Sequence, residues 1–184
     1  MIVNNSIASF FKNIIMKIIN EERYKRCKKL NLGCGRLTFP DFMNLDIMPF
    51  NDGKNDLVHI VIDIEKERLP YEDNSIEEIK ADNVFEHLGN GFIFALNECH
   101  RVLKKDGKLI GCVPIAGTDL DFRDITHKRH FTRHSFDYIC GTGLARKDRP
   151  SHPRYADYGV LPFNLISLET KDNMINFVLS PRKL

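Results

Sequence analysis

Residues 124–136 read DITHKRHFTRHSF, which sets three histidines, two arginines and a lysine within thirteen positions. Imidazoles ligate metals, and they move protons near neutral pH. His127, His130 and His134 are spaced three and four apart, so a helix would present them together, and Asp119, Asp121 and Asp124 could add oxygens. A metal site is therefore one reading. A nucleic-acid patch is a second; the charge suits it, but the acidic TDLDFRD adjoins and no aromatic stacking sheet is evident. A solvated loop face is a third. The fourth is an acceptor site, in which a histidine takes the proton of a hydroxyl. The stretch by itself leaves all four open.

A second constellation lies upstream. KKLNLGCG reads as a short strand that delivers Gly33, Cys34 and Gly35. Glycines let a ligand approach the backbone closely, and exposed N–H groups hold anions. FMNLDIMP ends a second strand at Asp46, where a carboxylate can accept two hydrogen bonds from a ribose diol. DLVHIVIDI, dense in β-branched residues, ends a third at Asp63, placed to accept from an exocyclic amine. Each aspartate taken singly is an ordinary strand-end residue. Gly-x-Gly, Asp and Asp at three consecutive strand ends form a much rarer coincidence.

Those side chains need a scaffold that gathers strand ends. IEEIKADNVFEHL starts as a fourth strand, and GFIFALNECHRVLKK spaces its apolar residues for a helix. Asp106-Gly107 is read as a turn, and KLIGCVPI is a buried strand stopped by Pro114. This alternation predicts a parallel sheet with crossover helices. GVLPFNLISLET and MINFVLSP flank KDN, read as a three-residue hairpin turn. The expected fold is α/β and Rossmann-like, with a seven-stranded, mostly parallel sheet and an antiparallel last strand. Only ten residues separate Gly35 from Asp46. A parallel crossover carrying a helix needs about a dozen or more. The helix between the first two strands is therefore expected to be reduced or missing.

The length of 184 residues suits a single domain, 1–184. Within it, 1–25 is expected to form an N-terminal amphipathic helix and 141–159 a long loop. A net charge of +2 argues against a global polyelectrolyte partner. Five cysteines form no C-x-x-C pair, and MIVNNSIASFF lacks a positive n-region, so reduced thiols in a cytoplasmic protein are expected. No apolar run approaches the ~20 residues of a membrane span.

Taken together, LNLGCG, NLDI, VIDIEKERLPYEDNSIEEI, NVFEHL and ALNECHRVLKKDGKLIGCVP resemble the class I S-adenosylmethionine-dependent methyltransferases over about residues 29–136. The resemblance implies S-adenosylmethionine as cofactor. It sets Gly33 and Gly35, with Cys34, against the methionine moiety, and Asp46 on the ribose. Ile47 would touch the adenine face, Asp63 with Ile64 would face the adenine amine, and Asn83 would stand near the methionyl group. The family's third glycine is replaced by Leu37. Arg36 is expected to reach the cofactor carboxylate where the lost helix would have held it. The short form, with its D-x-T-H-K-R-x-F-T-x-x-S-F segment, resembles small methyltransferases of polysaccharide and cell-surface sugar synthesis.

On that reading the histidine stretch follows the fifth strand and lines the acceptor pocket. His127 is the expected base, oriented by Asp124; Arg129 fixes an anionic acceptor; His87 is the rival base; and no metal is expected. The acceptor is expected to be a small polar molecule, with no strong nucleic-acid signal. DNVFEHL stands where base-methylating enzymes carry Asn/Asp-Pro-Pro-aromatic. A nucleic-acid methyltransferase, and a non-catalytic cofactor-binding subunit completed by a second copy or a partner chain, are the alternatives.

Overall fold

The structure is a computed structural model and describes residues 26–53, 57–140 and 158–183. The expected N-terminal helix and most of the 141–159 loop lie outside these residues. Within them, a seven-stranded sheet carries the molecule. β1 (Lys29–Leu32), β2 (Met43–Asp46), β3 (Ile60–Val61), β4 (Ile76–Asp82) and β5 (Leu103–Pro114) pair in parallel, and β6 (Phe163–Lys171) and β7 (Met174–Pro181) form a hairpin. The order is β3-β2-β1-β4-β5-β7-β6. Because β7 runs antiparallel to both β5 and β6, six strands share one direction, as the patterning predicts. Chain order reverses between β1 and β4, and ligands of such sheets bind at that switch point.

No helix joins β1 to β2. Two buried asparagines occupy its place. Asn31 Nδ2 donates to Leu37 O at 2.8 Å and to Asn44 Oδ1 at 3.0 Å, which ties the short crossover flat against its own strands. The third strand is shorter than DLVHIVIDI suggests. Before Ile60 the ladder is carried partly by a side chain, with Asn44 N–H donating to His59 Nδ1 at 3.0 Å.

The core follows from periodicity. Along β7, Ile175, Phe177 and Leu179 alternate inward, as a two-residue repeat requires. Helix α1 (Phe92–Val102) buries Phe92, Ala95, Leu96, Cys99 and Val102, spaced three, one, three and three. Its last turn holds Arg101, which donates to Glu98 Oε2 at 2.7 Å and to the carbonyls of Leu69 and Tyr71, fastening the turn before β4. Two short helices follow β5: α2 (Asp119–Phe122) and α3 (Ser135–Cys140). A chain of aromatic contacts ties these parts together. Phe85 meets Phe92 and Phe177, Phe131 meets Phe92, and Phe136 meets Phe131 and Phe177. The segment after α2 is thus anchored to the turn after β4, and this contact builds the site.

Two turns differ from expectation. The β6–β7 hairpin closes on two residues, Asp172 and Asn173, not three. Both have positive φ, 51° and 61°, as a type I′ turn demands. Asp106-Gly107 does not separate strand from helix. It lies within β5, where the pairing jumps from Ile76–Leu103 to Glu78–Lys108. Among the described residues no helix is long and apolar enough to cross a membrane.

Candidate active site

At the carboxyl ends of β1, β2 and β4 lies a cavity of about 400 Å³. That is within the ~300–1,000 Å³ range of small-molecule sites. Gly33 and Gly35 form part of its wall. Gly33 has φ +57°, and a Cβ there would stand 2.6 Å from Val84 Cγ2, so β1 and the turn after β4 approach too closely for a side chain. Gly35 has φ +50°, and a Cβ there would meet nothing within 4 Å, because it faces open space.

Asp46 ends β2 with its carboxylate held by backbone. Gly35 N–H donates to Oδ2 at 2.8 Å and Met48 N–H to Oδ1 at 3.0 Å. Each carboxylate oxygen has a second lone pair, so a fixed acceptor pair remains for a ligand diol. Ile47, Phe50 and Ile64 add apolar wall beside it. Asp63 also lines the cavity, but its carboxylate closes its own turn. Oδ1 accepts from Glu65 N–H at 3.0 Å and Oδ2 from Lys66 Nζ at 2.7 Å. The Lys66 contact is the main reason its carboxyl lies below the ordinary aspartate value.

Cys34 and Arg36 lie outside this wall. The Cys34 side chain is buried, and burial, with the Asp46 charge second, pushes its thiol up to about 11. The Arg36 guanidinium sits over the Phe50 ring, 5.8 Å from its centroid.

The opposite end of the cavity is built by the turn after β4. Asn83 adopts φ 53°, a conformation asparagine tolerates, and donates its N–H to Cys112 O at 3.0 Å. A 3₁₀ turn over Phe85–His87 follows. Phe85 enters the aromatic core, Glu86 is 1% exposed, and His87 lines the cavity with Asn83. The Glu86 carbonyl accepts from Lys128 N–H (2.8 Å) and Arg129 N–H (3.0 Å), which clamps the histidine stretch onto this turn. Both Glu86 carboxylate oxygens are buried and lack a hydrogen-bond partner among the described residues. Burial raises this carboxyl to about 7.

The structure brings His127 to His87, ring edge to ring face, with centroids 4.8 Å apart. His127 does not line the cavity. Its side chain is 6% exposed, its Nδ1 lies 2.7 Å from the Asp121 carbonyl, and its Nε2 lies 4.0 Å from Asp124 Oδ2. His87 Nδ1 lies 2.9 Å from Thr126 Oγ1, which in turn donates to Asp124 Oδ1 at 2.6 Å. Burial, and then the neighbouring His127, hold His87 below the ordinary histidine value. His130 and His134 do not join them. His130 pairs with the buried Asp121 at 2.9 Å, and His134 with Asp137 at 3.0 Å. Arg129 is also committed elsewhere. It donates to Gly89 O at 2.9 Å and lies over the Phe92 ring, 4.4 Å from the centroid.

Five residues enter the picture from the structure: Phe50, Glu65, Glu86, Thr126 and Lys128. Lys128 lines the cavity and pairs with Glu65 at 3.6 Å, while Glu65 Oε1 accepts from Gly89 N–H and Gly91 N–H. The double glycine of HLGNG was the available sequence signal, since Gly89 and Gly91 present bare backbone to one carboxylate.

Comparison with known proteins agrees with this architecture. PH0226 protein from Pyrococcus horikoshii has a TM-score of 0.55 at 15% identity, over 99% of this chain and 93% of that one. A TehB-like SAM-dependent methyltransferase from Corynebacterium glutamicum has a TM-score of 0.52 at 18% identity, over 97% of each chain. A methyltransferase complex with the Trm112 activator of Haloferax volcanii has a TM-score of 0.55 at 12% identity, over 85% of this chain and 82% of that one. These likenesses establish a shared fold. No curated protein matches the sequence. The sequence does match the methyltransferase domain family over residues 7–111, more than half of the chain. The chain therefore belongs to the methyltransferase domain family.

Proposed function

We propose that this protein transfers a methyl group from S-adenosylmethionine to a hydroxyl of a small polar acceptor, a sugar or sugar-derived metabolite. The carrying observation is the Asp46 carboxylate, fixed by Gly35 and Met48 N–H groups in a cavity whose far end holds His87.

The residues fit the cofactor. Gly33 and Gly35 give bare backbone beside the methionyl part, and the free lone pairs of Asp46 suit the ribose diol. Ile47, Phe50 and Ile64 offer an apolar face to the adenine, Asp63 lies beside it, and Asn83 stands at the methionyl end. When bound, the cofactor supplies an electrophilic methyl group on a sulfonium. What remains for the protein is to bring a hydroxyl in line and labilise its proton.

His87 is placed for that work. Thr126 has one hydroxyl hydrogen, and Asp124 Oδ1 takes it at 2.6 Å. His87 Nδ1 must then donate to Thr126 Oγ1, which leaves the Nε2 lone pair as the ring's acceptor. Its lowered pKa keeps that lone pair free at neutral pH. His127 stands behind as a supporting ring held by the Asp121 carbonyl, and Asp124 orients His87 through Thr126. The short β1–β2 crossover and the 124–136 segment, by their resemblance to small methyltransferases of sugar synthesis, favour a sugar hydroxyl. The free cysteines suit a reducing compartment, and we place the reaction in the cytoplasm.

The test is formation of S-adenosylhomocysteine across a panel of sugar nucleotides, free sugars, nucleic acids and small phenols. Turnover confined to sugar hydroxyls, and lowered by His87→Gln, is the expected result. Transfer to a nucleic acid instead would overturn the acceptor class.

A further inference from the structure

Behind His87 is a group of atoms that only accept. Glu86 is 1% exposed, and neither carboxylate oxygen has a donor among the described residues. A buried carboxylate without a donor is costly, and native structures rarely leave one. One ligand atom each from Glu86, His87 and His127 lies within 4.8 Å of the others.

Both rings are held in the tautomer that turns a lone pair outward. His87 Nδ1 donates to Thr126 Oγ1, for the reason given above. His127 Nδ1, 2.7 Å from the Asp121 carbonyl, has only an acceptor to meet and so must donate. Nε2 of each ring is then a bare electron pair. Metal-bound imidazoles are oriented in this way, the second nitrogen donating to a carbonyl, hydroxyl or carboxylate. Asp124 Oδ2, 4.0 Å from His127 Nε2, adds an oxygen at the rim.

We propose that Glu86, His87 and His127 bind a divalent transition cation, with open coordination positions toward the cofactor cavity. Two imidazoles and one carboxylate favour an ion of the manganese, iron, cobalt or zinc type over calcium or magnesium. Ligands of a tetrahedral site with bonds of about 2.0–2.1 Å lie about 3.4 Å apart, so atoms that here lie within 4.8 Å of one another must close by up to about 1.4 Å. The histidine stretch thus supplies one ligand, not three. The triad of spaced histidines is replaced by one from the stretch and an adjacent Glu-His pair from the turn after β4. Since His87 lines the cavity, the open positions lie where the acceptor hydroxyl is placed, and a Lewis acid there lowers the pKa of a bound hydroxyl. With a cation bound, the His87 Nε2 lone pair is a ligand and no longer the base, and a hydroxyl acidified by the cation would lose its proton to solvent; for that role the site rests on the methyl-transfer reading.

The experiment uses the full chain purified without a His-tag and stripped with chelator. Cobalt(II) is titrated and followed by visible absorption, and S-adenosylhomocysteine binding is measured calorimetrically on the same samples. One cobalt per chain is expected, with two shifted, exchangeable imidazole N–H proton resonances, one from each Nδ1–H of the wild type. Thr126→Val should weaken cobalt binding about 10–100-fold through loss of ring orientation, with Glu86→Gln and His127→Gln weakening it further. His134→Ala, whose ring pairs with Asp137, should leave it unchanged. Absence of stoichiometric cobalt in the wild type, or wild-type affinity in both Glu86→Gln and His127→Gln, would overturn the site. Should the variants fail to fold, the two wild-type resonances decide: their absence overturns it. Cobalt bound without S-adenosylhomocysteine would overturn the cofactor reading and leave the cation site standing.

Discussion

The two ends of the cavity treat their carboxylates in opposite ways. At the β2 end, Asp46 is pinned by two backbone N–H groups, and Asp63 by one backbone N–H and Lys66. These groups are satisfied before a ligand arrives, so they are preorganised and bind with little rearrangement. At the β4 end, Glu86 is more deeply buried and meets no donor among the described residues. Beside it the ring lone pairs of His87 and His127 add further acceptors. The first end is complete and recognises; the second is complete only with something bound, and that is where reaction chemistry is expected to lie.

The largest expected break in this contrast comes from His87→Ala. Turnover on the true acceptor should fall by ~10²–10⁴-fold, with His127→Ala falling in the same direction, while cofactor-product affinity stays within about twofold. A matching loss of cofactor-product affinity would erase the division between the ends. Gly33→Val attacks the first end. A β-branched side chain at φ +57° against Val84 should cost about 1–3 kcal/mol of stability, read by thermal melting, and should weaken cofactor-product binding.

A pH profile sharpens the contrast. The functional form of His87 is neutral, and its pKa is lowered, so activity should persist below the ordinary histidine value. It should fall only as pH drops further and the ring gains its proton. The acid limb of kcat/KM should therefore have its inflection below pH ~6.5, and His87→Gln should remove it. The smallest effect concerns Cys34. With its thiol at about 11, roughly one molecule in a thousand is thiolate at pH 8, so alkylation in the native protein should be slow. Unfolding should release the reaction, as mass spectrometry of the labelled peptide would report.

Much of the first end was legible because it rests on short-range logic. Strand-end glycines and aspartates follow from short apolar runs that stop, and ten residues between Gly35 and Asp46 leave no room for a helix. What replaced the helix, the Asn31–Asn44 amide pair, was not legible, since two asparagines thirteen positions apart give no periodic signal. The second end depends on long-range contacts. His127 and His130 look equivalent in sequence. Only the clamp of Lys128 and Arg129 N–H onto the Glu86 carbonyl turns His127 toward His87, while His130 turns to Asp121. Glu86 reads as a polar residue in a turn until Phe85, drawn into the aromatic core, carries it inside.

The central claim, that the β1–β2 strand ends hold the cofactor, is tested most directly by isothermal titration with S-adenosylhomocysteine. The wild type should bind one equivalent. Asp46→Ala should weaken binding by about 1–3 kcal/mol, or about 5–150-fold, the scale of a lost charge-assisted hydrogen bond. No heat with the wild type, or equal affinity in Asp46→Ala, would contradict it.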